Sequence, residues 1–366
     1  MKQAGKPVTG IDFIGREKEL ALLIEYIKMG QSVVLVAPRR FGKTSLVMEA
    51  LARLKKQGFH TAFIDVFTNP SLELLSTAIV KEVLKNHKLN EQFTKAKNNI
   101  TALIQNIKLS ALINDFQFIL RFADPQKNET ELIAESIDFV DNYAKKHNAK
   151  IVCAYDEFGD IKKFDSKENL IKMFRSKIQH QTHSTYIFSG SLESVMNNMF
   201  VSSKAPFYRL TRIIRLRYME KSPWVKYLKK MFKKLNFTIP ANYPDEIYNL
   251  CKGHPYYTQL SFQQVVLHKT IYGNLPDMYL LKEIILQVEK DYLEKVWEDV
   301  SENKEYVYTM RAIAESRNGI YKRLRNKGIN VARALKKLEG MGILFKDEKG
   351  FYFSDPFLYY WLKKNT

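Results

Sequence analysis

The feature that most constrains the fold is an apolar run that leads into a loop of Pro, Arg and Gly and then into a helical pattern. The apolar run covers residues 32–37, and its uninterrupted, Val-rich composition is typical of a strand buried on both faces. The predicted helix that follows the loop runs from about Lys43 to Gln57. Strand, loop and helix in this order form a phosphate-binding loop, because the backbone N–H groups at the helix N-terminus surround an anion.

Three consecutive residues of this loop carry the chemistry. Gly42 allows the backbone to approach a phosphate, Lys43 supplies a positive charge for the β and γ oxygens, and Thr44 is the expected magnesium ligand. Ala37 stands where the usual pattern has Gly, so the turn is stiffer there or has an ordinary φ. The sequence therefore predicts that the chain binds ATP with Mg²⁺. The candidate nucleotide-binding residues of the loop are Ala37, Pro38, Arg39, Arg40, Phe41, Gly42, Lys43, Thr44 and Ser45.

Acidic and hydroxyl residues follow two further apolar runs. Residues 151–155 form an apolar run that ends in Asp156 and Glu157, the pattern of a Walker B strand. We expect Asp156 to hold magnesium, usually through water, and Glu157 to act as the general base for the attacking water. Ser189 ends the next strand, where a hydroxyl would lie beside Asp156 and sense the γ-phosphate. An ordinary Ser/Gly turn after a strand explains Ser189 equally well.

The first part of the chain has the alternation of an α/β domain. Helical patterns separate the short strands, which predicts crossover connections and a parallel sheet buried on both faces. The predicted strands after the first lie at residues 60–67, 150–155, 185–189 and 212–217, and the predicted helices between them lie near 72–84 and 131–146. Residues 86–124 exceed what a crossover needs and are interpreted as an inserted helical hairpin. The predicted core domain covers residues 1–217.

The second part of the chain is predicted to be mainly helical. Four helical stretches are expected in a lid domain over residues 218–300, at Pro223–Leu235, Pro244–Cys251, Pro255–Leu267 and Pro276–Asp299. Residues 301–366 then show three helical stretches and two strands, Ile343–Asp347 and Gly350–Ser354. Three helices followed by a hairpin is the order of a winged-helix domain.

Several motifs along the chain together resemble the archaeal-type ATPase family, a branch of the STAND and AAA+ related P-loop ATPases that also occurs in bacteria. The resemblance covers nearly the whole chain. Its marks are Phe13-Ile14-Gly15-Arg16-Glu17-Lys18-Glu19-Leu20, Pro38-Arg39-Arg40-Phe41-Gly42-Lys43-Thr44-Ser45-Leu46, Asp156-Glu157-Phe158, Gly253-His254-Pro255-Tyr256-Tyr257 and the closing segment Phe353-Ser354-Asp355-Pro356-Phe357-Leu358-Tyr359-Tyr360-Trp361. The resemblance implies an AAA+-like P-loop NTPase sheet, a helical lid and a winged helix.

The resemblance also implies roles for residues outside the phosphate loop. It places Ile14, Gly15, Arg16 and Pro255 near the adenine and ribose. Gly15 and Arg16 can instead cap the helix that follows them, and Pro255 is also an ordinary first-turn proline.

Three arginines have roles that stay open. Arg209 matches the position of an arginine finger or sensor, although the Gly that commonly precedes it is missing and a solvated Arg fits equally well. Arg39 and Arg40 are either charge sensors or contacts to nearby carboxylates.

Charge makes nucleic acid a candidate partner. The chain has a formal net charge of +19, which favours polyanions, although the lysines are spread along the chain as in a lysine-rich proteome. In the predicted recognition helix, Arg333, Lys336 and Lys337 share one side. DNA contact through this helix, packing of the helix on the ATPase core and binding of a protein client all remain open, as does oligomerisation.

The composition of the chain indicates its expected subcellular location. The two cysteines, Cys153 and Cys251, fit neither a disulfide framework nor a zinc site. No run of about 18 apolar residues occurs, so we expect no membrane span and a cytoplasmic protein.

Two functions follow from the sequence, besides a third option, a degenerate P-loop scaffold that no longer hydrolyses ATP. The first is a Mg-ATP-dependent conformational switch that hydrolyses ATP slowly without a partner. The alternative is a DNA-binding regulator or helper in which ATP only sets the conformation.

Overall fold

A computed structural model describes residues 4–87, 128–164, 167–191, 193–316, 318–347 and 350–365 of the chain. The predicted insertion at 86–124 lies outside the described residues except for Asn86 and His87, which belong to a 3₁₀ turn, Lys85–His87. Its interpretation as a helical hairpin therefore stays a prediction.

A parallel five-stranded sheet forms the centre of the first part of the chain, as predicted. Its strands are β1 Val33–Val36, β2 His60–Asp65, β3 Ile151–Asp156, β4 Ser184–Gly190 and β5 Arg212–Arg215. Their order across the sheet is β2-β3-β4-β1-β5, and every neighbouring pair is parallel. The carboxyl ends of β1, β3 and β4 therefore meet at one edge, which is where ligands bind in such sheets.

Helices cover both faces of this sheet. They are α1 Glu17–Lys28, α2 Lys43–Lys56, α3 Leu72–Leu84, α4 Glu129–Lys146, α5 Lys167–Ile178 and the short α6 Glu193–Met196. Alternate residues of β1 point to opposite sides: Val34 and Val36 belong to one buried cluster, and Val33 and Leu35 belong to another. The strand β1 is thus buried on both faces, as expected for a central parallel strand.

A helical region follows the sheet. Its helices are α7 Lys221–Lys234, α8 Tyr243–Cys251, α9 Pro255–Tyr272, α10 Met278–Val288 and α11 Lys290–Ser301. The prediction of a single helix over Pro276–Asp299 was wrong, because the structure has two helices that meet at Glu289. The sequence has neither Pro nor Gly at this junction. The junction instead coincides with a buried carboxylate whose hydrogen-bond partners come from other parts of the chain.

The last part of the chain has the element order expected from the sequence. The helices α12 Lys304–Glu315, α13 Ile320–Leu324 and α14 Val331–Gly340 precede two antiparallel strands, β6 Leu344–Asp347 and β7 Gly350–Phe353. A final helix, α15 Pro356–Asn365, follows the hairpin.

The helical region and the C-terminal elements are packed together. One cluster of buried apolar residues runs from Leu228 to Leu362 and includes residues of both. The Tyr257 hydroxyl on α9 donates a hydrogen bond to the Asp355 carboxylate beside α15, at 2.7 Å. The predicted domain limits at 217/218 and 300/301 stay predictions. Among the residues that the structure describes, no helix combines the length and apolar composition needed to cross a membrane.

Candidate functional site

The phosphate loop connects β1 to α2 through a turn with two left-handed residues. Arg40 has φ 65° and Gly42, the residue before α2, has φ 84°. A Cβ at Gly42 would meet no atom within 4 Å, so the backbone angle rather than crowding favours Gly there. Ala37 is not among the described residues with positive φ, which explains why Ala fits at a position that usually holds Gly.

Lys43 lies inside this loop. Its ammonium donates hydrogen bonds to the carbonyl oxygens of Ala37 and Pro38, each at 3.0 Å. Burial lowers the pKa of Lys43, and the nearby Glu157 and Asp156 carboxylates oppose that shift. A buried ammonium in a ring of backbone groups is well placed to receive a phosphate oxygen.

Asp156 joins three elements at the carboxyl edge of the sheet. Its Oδ2 accepts a hydrogen bond from the Thr44 hydroxyl at 2.6 Å, and its Oδ1 accepts one from the Ser189 hydroxyl. The carboxylate is almost fully buried. Magnesium prefers oxygen ligands and usually takes only one or two from the protein beside phosphate and water. The hydroxyl of Thr44 and the carboxylate of Asp156 fit that requirement.

Glu157 has a left-handed backbone, with φ 48°. This conformation is uncommon for a residue with a Cβ. The Glu157 Oε2 accepts two hydrogen bonds from Ser191, one from the backbone N–H at 3.0 Å and one from the hydroxyl at 2.8 Å. The residue after β3 is thus fixed by the residue after β4.

A cavity of about 400 Å³ opens at this edge of the sheet, large enough for a nucleotide. Most of the predicted site residues line it: Ile14, Arg16, Arg39, Arg40, Phe41, Gly42, Lys43, Thr44, Ser45, Glu157 and Pro255. Six predicted residues lie outside its described lining: Gly15, Ala37, Pro38, Asp156, Ser189 and Arg209.

Two residues of the Gly-Arg segment hold the site in place. Gly15 has φ 70°, a left-handed backbone angle that favours Gly, and a Cβ there would also displace the end of the Met219 side chain. The Arg16 guanidinium donates to the carbonyl oxygens of Phe41 and Arg217. Burial lowers the pKa of Arg16, which its bond to Glu19 partly offsets. Arg16 therefore ties the phosphate loop to the end of β5, besides lining the cavity.

Arg209 is not brought to this cavity. Its guanidinium carbon lies 5.4 Å from the centre of the neighbouring Tyr208 ring, and its backbone has φ 61°. A role as finger or sensor within this chain has no support from its position.

Arg40 contacts a carboxylate of the helical region, which is one of the two alternatives that the sequence left open for this residue. It donates to the Glu289 Oε2 at 2.7 Å and lies 4.1 Å from the centre of the Tyr256 ring and 4.6 Å from that of Tyr292. The Tyr256 hydroxyl also donates to Glu289. The phosphate loop is thereby tied to the junction of α10 and α11.

The N-terminal segment, residues 5–13, lines part of the cavity, and this was not predicted from the sequence. The Val8 N–H donates to the Ser45 hydroxyl at 3.1 Å, and the Gly10 N–H donates to the Glu49 carboxylate at 2.7 Å. Other unpredicted lining residues are Gly5, Lys6, Pro7, Asp12, Phe13, Phe67, Asp160, Ser191, Met219, Trp224, Tyr256 and Gln259. Phe13 and Tyr256 lie inside motifs that mark the family resemblance, and Ser191 lies two residues after Ser189, so these positions were the available signal.

The predicted DNA-contacting residues have different surroundings. Arg333 donates to Glu305 through Nε at 3.1 Å and Nη2 at 2.8 Å. Lys336 and Lys337 are exposed on α14. This helix also lies against α6, which directly follows β4 and Ser191.

Comparisons with known proteins identify the same fold. A family model described as an ATPase domain predominantly from Archaea matches residues 13–260. A Walker-type ATPase of Pyrococcus abyssi superposes with a TM-score of 0.71 at 19% identity, covering 98% of each chain. The ORC2 protein of Aeropyrum pernix, solved as ADPNP-ADP complexes, gives a TM-score of 0.54 at 12% identity, again over 98% of each chain. No curated protein sequence matches the chain.

Proposed function

Since this chain belongs to the family of ATPase domains found predominantly in Archaea, we propose that it is a Mg-ATP-dependent conformational switch that hydrolyses ATP. The observation that carries the proposal is that Lys43, Thr44 and Glu157 line one cavity, while the buried Asp156 beside them accepts hydrogen bonds from Thr44 and Ser189. This set contains the charge, the metal ligands and the base that phosphoryl transfer to water requires.

In the proposed mechanism, the phosphate loop holds the triphosphate through its backbone N–H groups and the Lys43 ammonium. Thr44 and Asp156 would hold magnesium, which would supply charge neutralisation for the phosphate groups. Glu157 accepts the proton of the attacking water through its carboxylate. Ser189, hydrogen-bonded to Asp156, senses the γ-phosphate.

The switch part of the proposal is supported by the contact of Arg40 with Glu289. Arg40 lines the cavity and also bonds a buried carboxylate between α10 and α11. A phosphate group near Arg40 competes with Glu289 for the same guanidinium. Occupancy of the cavity thus changes a contact that holds the helical region, the proposed lid.

Calorimetric titration with Mg²⁺ and a non-hydrolysable ATP analogue tests binding. We expect Lys43→Ala to weaken binding by at least ~100-fold, since it removes a charge-assisted bond to phosphate. Lys55→Ala, on the exposed side of the same helix, is the matched control and should bind as the unmodified chain does. Equal binding by all three proteins rejects the proposal.

Hydrolysis needs its own test. Glu157→Gln keeps the size of the side chain but removes the base, so single-turnover phosphate release should fall by ~100-fold or more while binding persists. Unchanged release by this variant rejects Glu157 as the base.

A second candidate function is DNA binding through the proposed winged helix. It is supported by the exposure of Lys336 and Lys337 on α14 and by the net charge of +19. Fluorescence anisotropy with a labelled duplex should show affinity that falls with salt and falls further in Lys336→Glu/Lys337→Glu. The control is Lys55→Glu/Lys56→Glu, which makes the same charge change on α2. No binding at low salt rejects this function.

A further inference from the structure

We propose that Asp12 and Gln259 read the base of the nucleotide and make the site select adenine over guanine. The inference rests on the proposed ATP-binding function and adds the residues that set its specificity. It concerns the part of the lining that the large cavity shares with a second, smaller cavity.

The lining of the cavity combines groups suited to phosphate with apolar side chains suited to a flat ring. Lys43 belongs to the first kind. The apolar residues of the lining include Val8, Ile14, Met219, Trp224 and Pro255. A purine ring is stabilised between such apolar surfaces, whereas its polar edge needs specific partners.

A second, smaller cavity locates Asp12 and Gln259. This cavity of about 30 Å³ lies against α7 and α9 and contains no residue of the phosphate loop in its described lining. Val8, Asp12 and Gln259 border both cavities. The three residues therefore separate the two spaces at the side of the large cavity that faces the helical region.

The polar groups of both side chains are free for a ligand. Within the described residues, neither the Asp12 carboxylate nor the Gln259 amide makes a side-chain hydrogen bond or an ion pair. Both residues are only partly exposed. Half-buried polar groups without a protein partner favour a ligand that supplies the missing bonds.

The two side chains complement adenine. An ionised carboxylate only accepts hydrogen bonds, whereas an amide both donates and accepts them. Adenine offers an exocyclic amino donor next to ring-nitrogen acceptors, so Asp12 accepts from the amino group and Gln259 donates to a ring nitrogen. Guanine in the same orientation places its carbonyl O6 where adenine has the amino group. That oxygen repels the Asp12 carboxylate and leaves it unpaired, which costs affinity.

The experiment measures the affinities of ATP and GTP, each with Mg²⁺, by competition against a ribose-labelled fluorescent ATP. We expect the unmodified chain to prefer ATP by roughly 10- to 100-fold. Asp12→Asn gives the position a donor that tolerates O6, so the preference should fall to within ~3-fold. Gln259→Leu removes the second polar group and should weaken ATP more than GTP. Asp291→Asn, on the exposed surface of α11, is the matched control.

The outcomes separate this inference from the function on which it rests. Loss of preference in Asp12→Asn or Gln259→Leu, with the control unchanged, supports base reading. An unchanged ratio of ATP to GTP affinity in both variants overturns it, as does equal weakening of both nucleotides. If base reading is overturned in one of these two ways, the proposed ATP binding still stands, provided that Lys43→Ala abolishes nucleotide binding. If the unmodified chain binds neither nucleotide, both proposals fail.

Discussion

Arg40 and Glu289 are separated by 249 positions in the chain, yet the Arg40 Nη1 lies 2.7 Å from the Glu289 Oε2. The pair joins a left-handed residue of the phosphate loop to the junction of two helices. Glu289 is 6% exposed and Arg40 36% exposed, so the pair is only partly shielded from water. Tyr256 completes it by stacking on Arg40 and donating to Glu289.

Glu289→Gln should loosen the helical region while keeping the shape of the side chain. The substitution removes the charge that binds Arg40, and a charge-assisted bond is stronger than a neutral one. We expect amide hydrogens of α10 and α11 to exchange roughly 5-fold faster in the nucleotide-free protein, measured by mass spectrometry.

Lys290→Ala provides the comparison for that experiment. Lys290 is next in the chain but forms only an exposed pair with Glu294, at 3.8 Å. Such a pair contributes little, so exchange should match the unmodified chain. Faster exchange in both variants, or in neither, contradicts the proposal that the contact between Arg40 and Glu289 stabilises the helical region.

Ser191→Ala should slow hydrolysis without weakening nucleotide binding. The Glu157 Oε2 would lose the hydroxyl bond at 2.8 Å and keep only the backbone bond, so the carboxylate would be less well oriented. Losing one such hydrogen bond corresponds to a rate reduction of roughly 10-fold in single-turnover phosphate release.

Ser191→Thr keeps the hydroxyl and should restore most of the rate. Introducing Ser191→Ala into Glu157→Gln should have no further effect, because the carboxylate that it orients is already absent. A slow Ser191→Thr variant, or a full additional loss in the double variant, contradicts this role.

His254 should make the fold less stable as the pH falls. Burial, followed by the nearby Arg40 and Arg16, lowers the pKa of His254 from 6.5 to about 3. Between those values the unfolded chain binds a proton that the folded chain does not, so the free energy of unfolding decreases with decreasing pH. From pH 7 to pH 5 the contribution is about 2 kcal/mol.

Urea unfolding of the unmodified chain and of His254→Asn at both pH values measures this contribution, since Asn can still cap α9. The loss of stability at pH 5 should be smaller in the variant. Burial raises the pKa of Asp355 to about 6, so its contribution to the free energy of unfolding increases as the pH falls through part of the range from 7 to 5. The His254 contribution is therefore obtained from the difference between the unmodified chain and the variant. Equal losses in both proteins contradict the prediction for His254.

Local patterns were sufficient to predict the parallel sheet and the proximity of the phosphate loop to Asp156. Strands buried on both faces and the sequence around Lys43 are determined by neighbours in the chain, and parallel pairing then brings Asp156 beside Ser189. The proposed base-reading residues, Asp12 and Gln259, belong to segments that are far apart in the chain but border the same two cavities. No periodicity or spacing encodes that proximity.

The break at Glu289 was missed for a related reason. Helical periodicity continues through it, and the sequence there lacks the residues that normally end a helix. The conformation is coupled to a tertiary contact with Arg40, which overrides the local preference of the chain.

The cluster of buried side chains from Leu228 to Leu362 has a mechanical consequence. Elements that share one tightly packed interior resist bending relative to one another and turn together as a lever. A displacement imposed on α10 or α11 at Arg40 would therefore also move α14, the helix that carries Lys336 and Lys337. Because α14 lies against α6, directly after Ser191, such a movement would also alter the surroundings of the residue that holds Glu157.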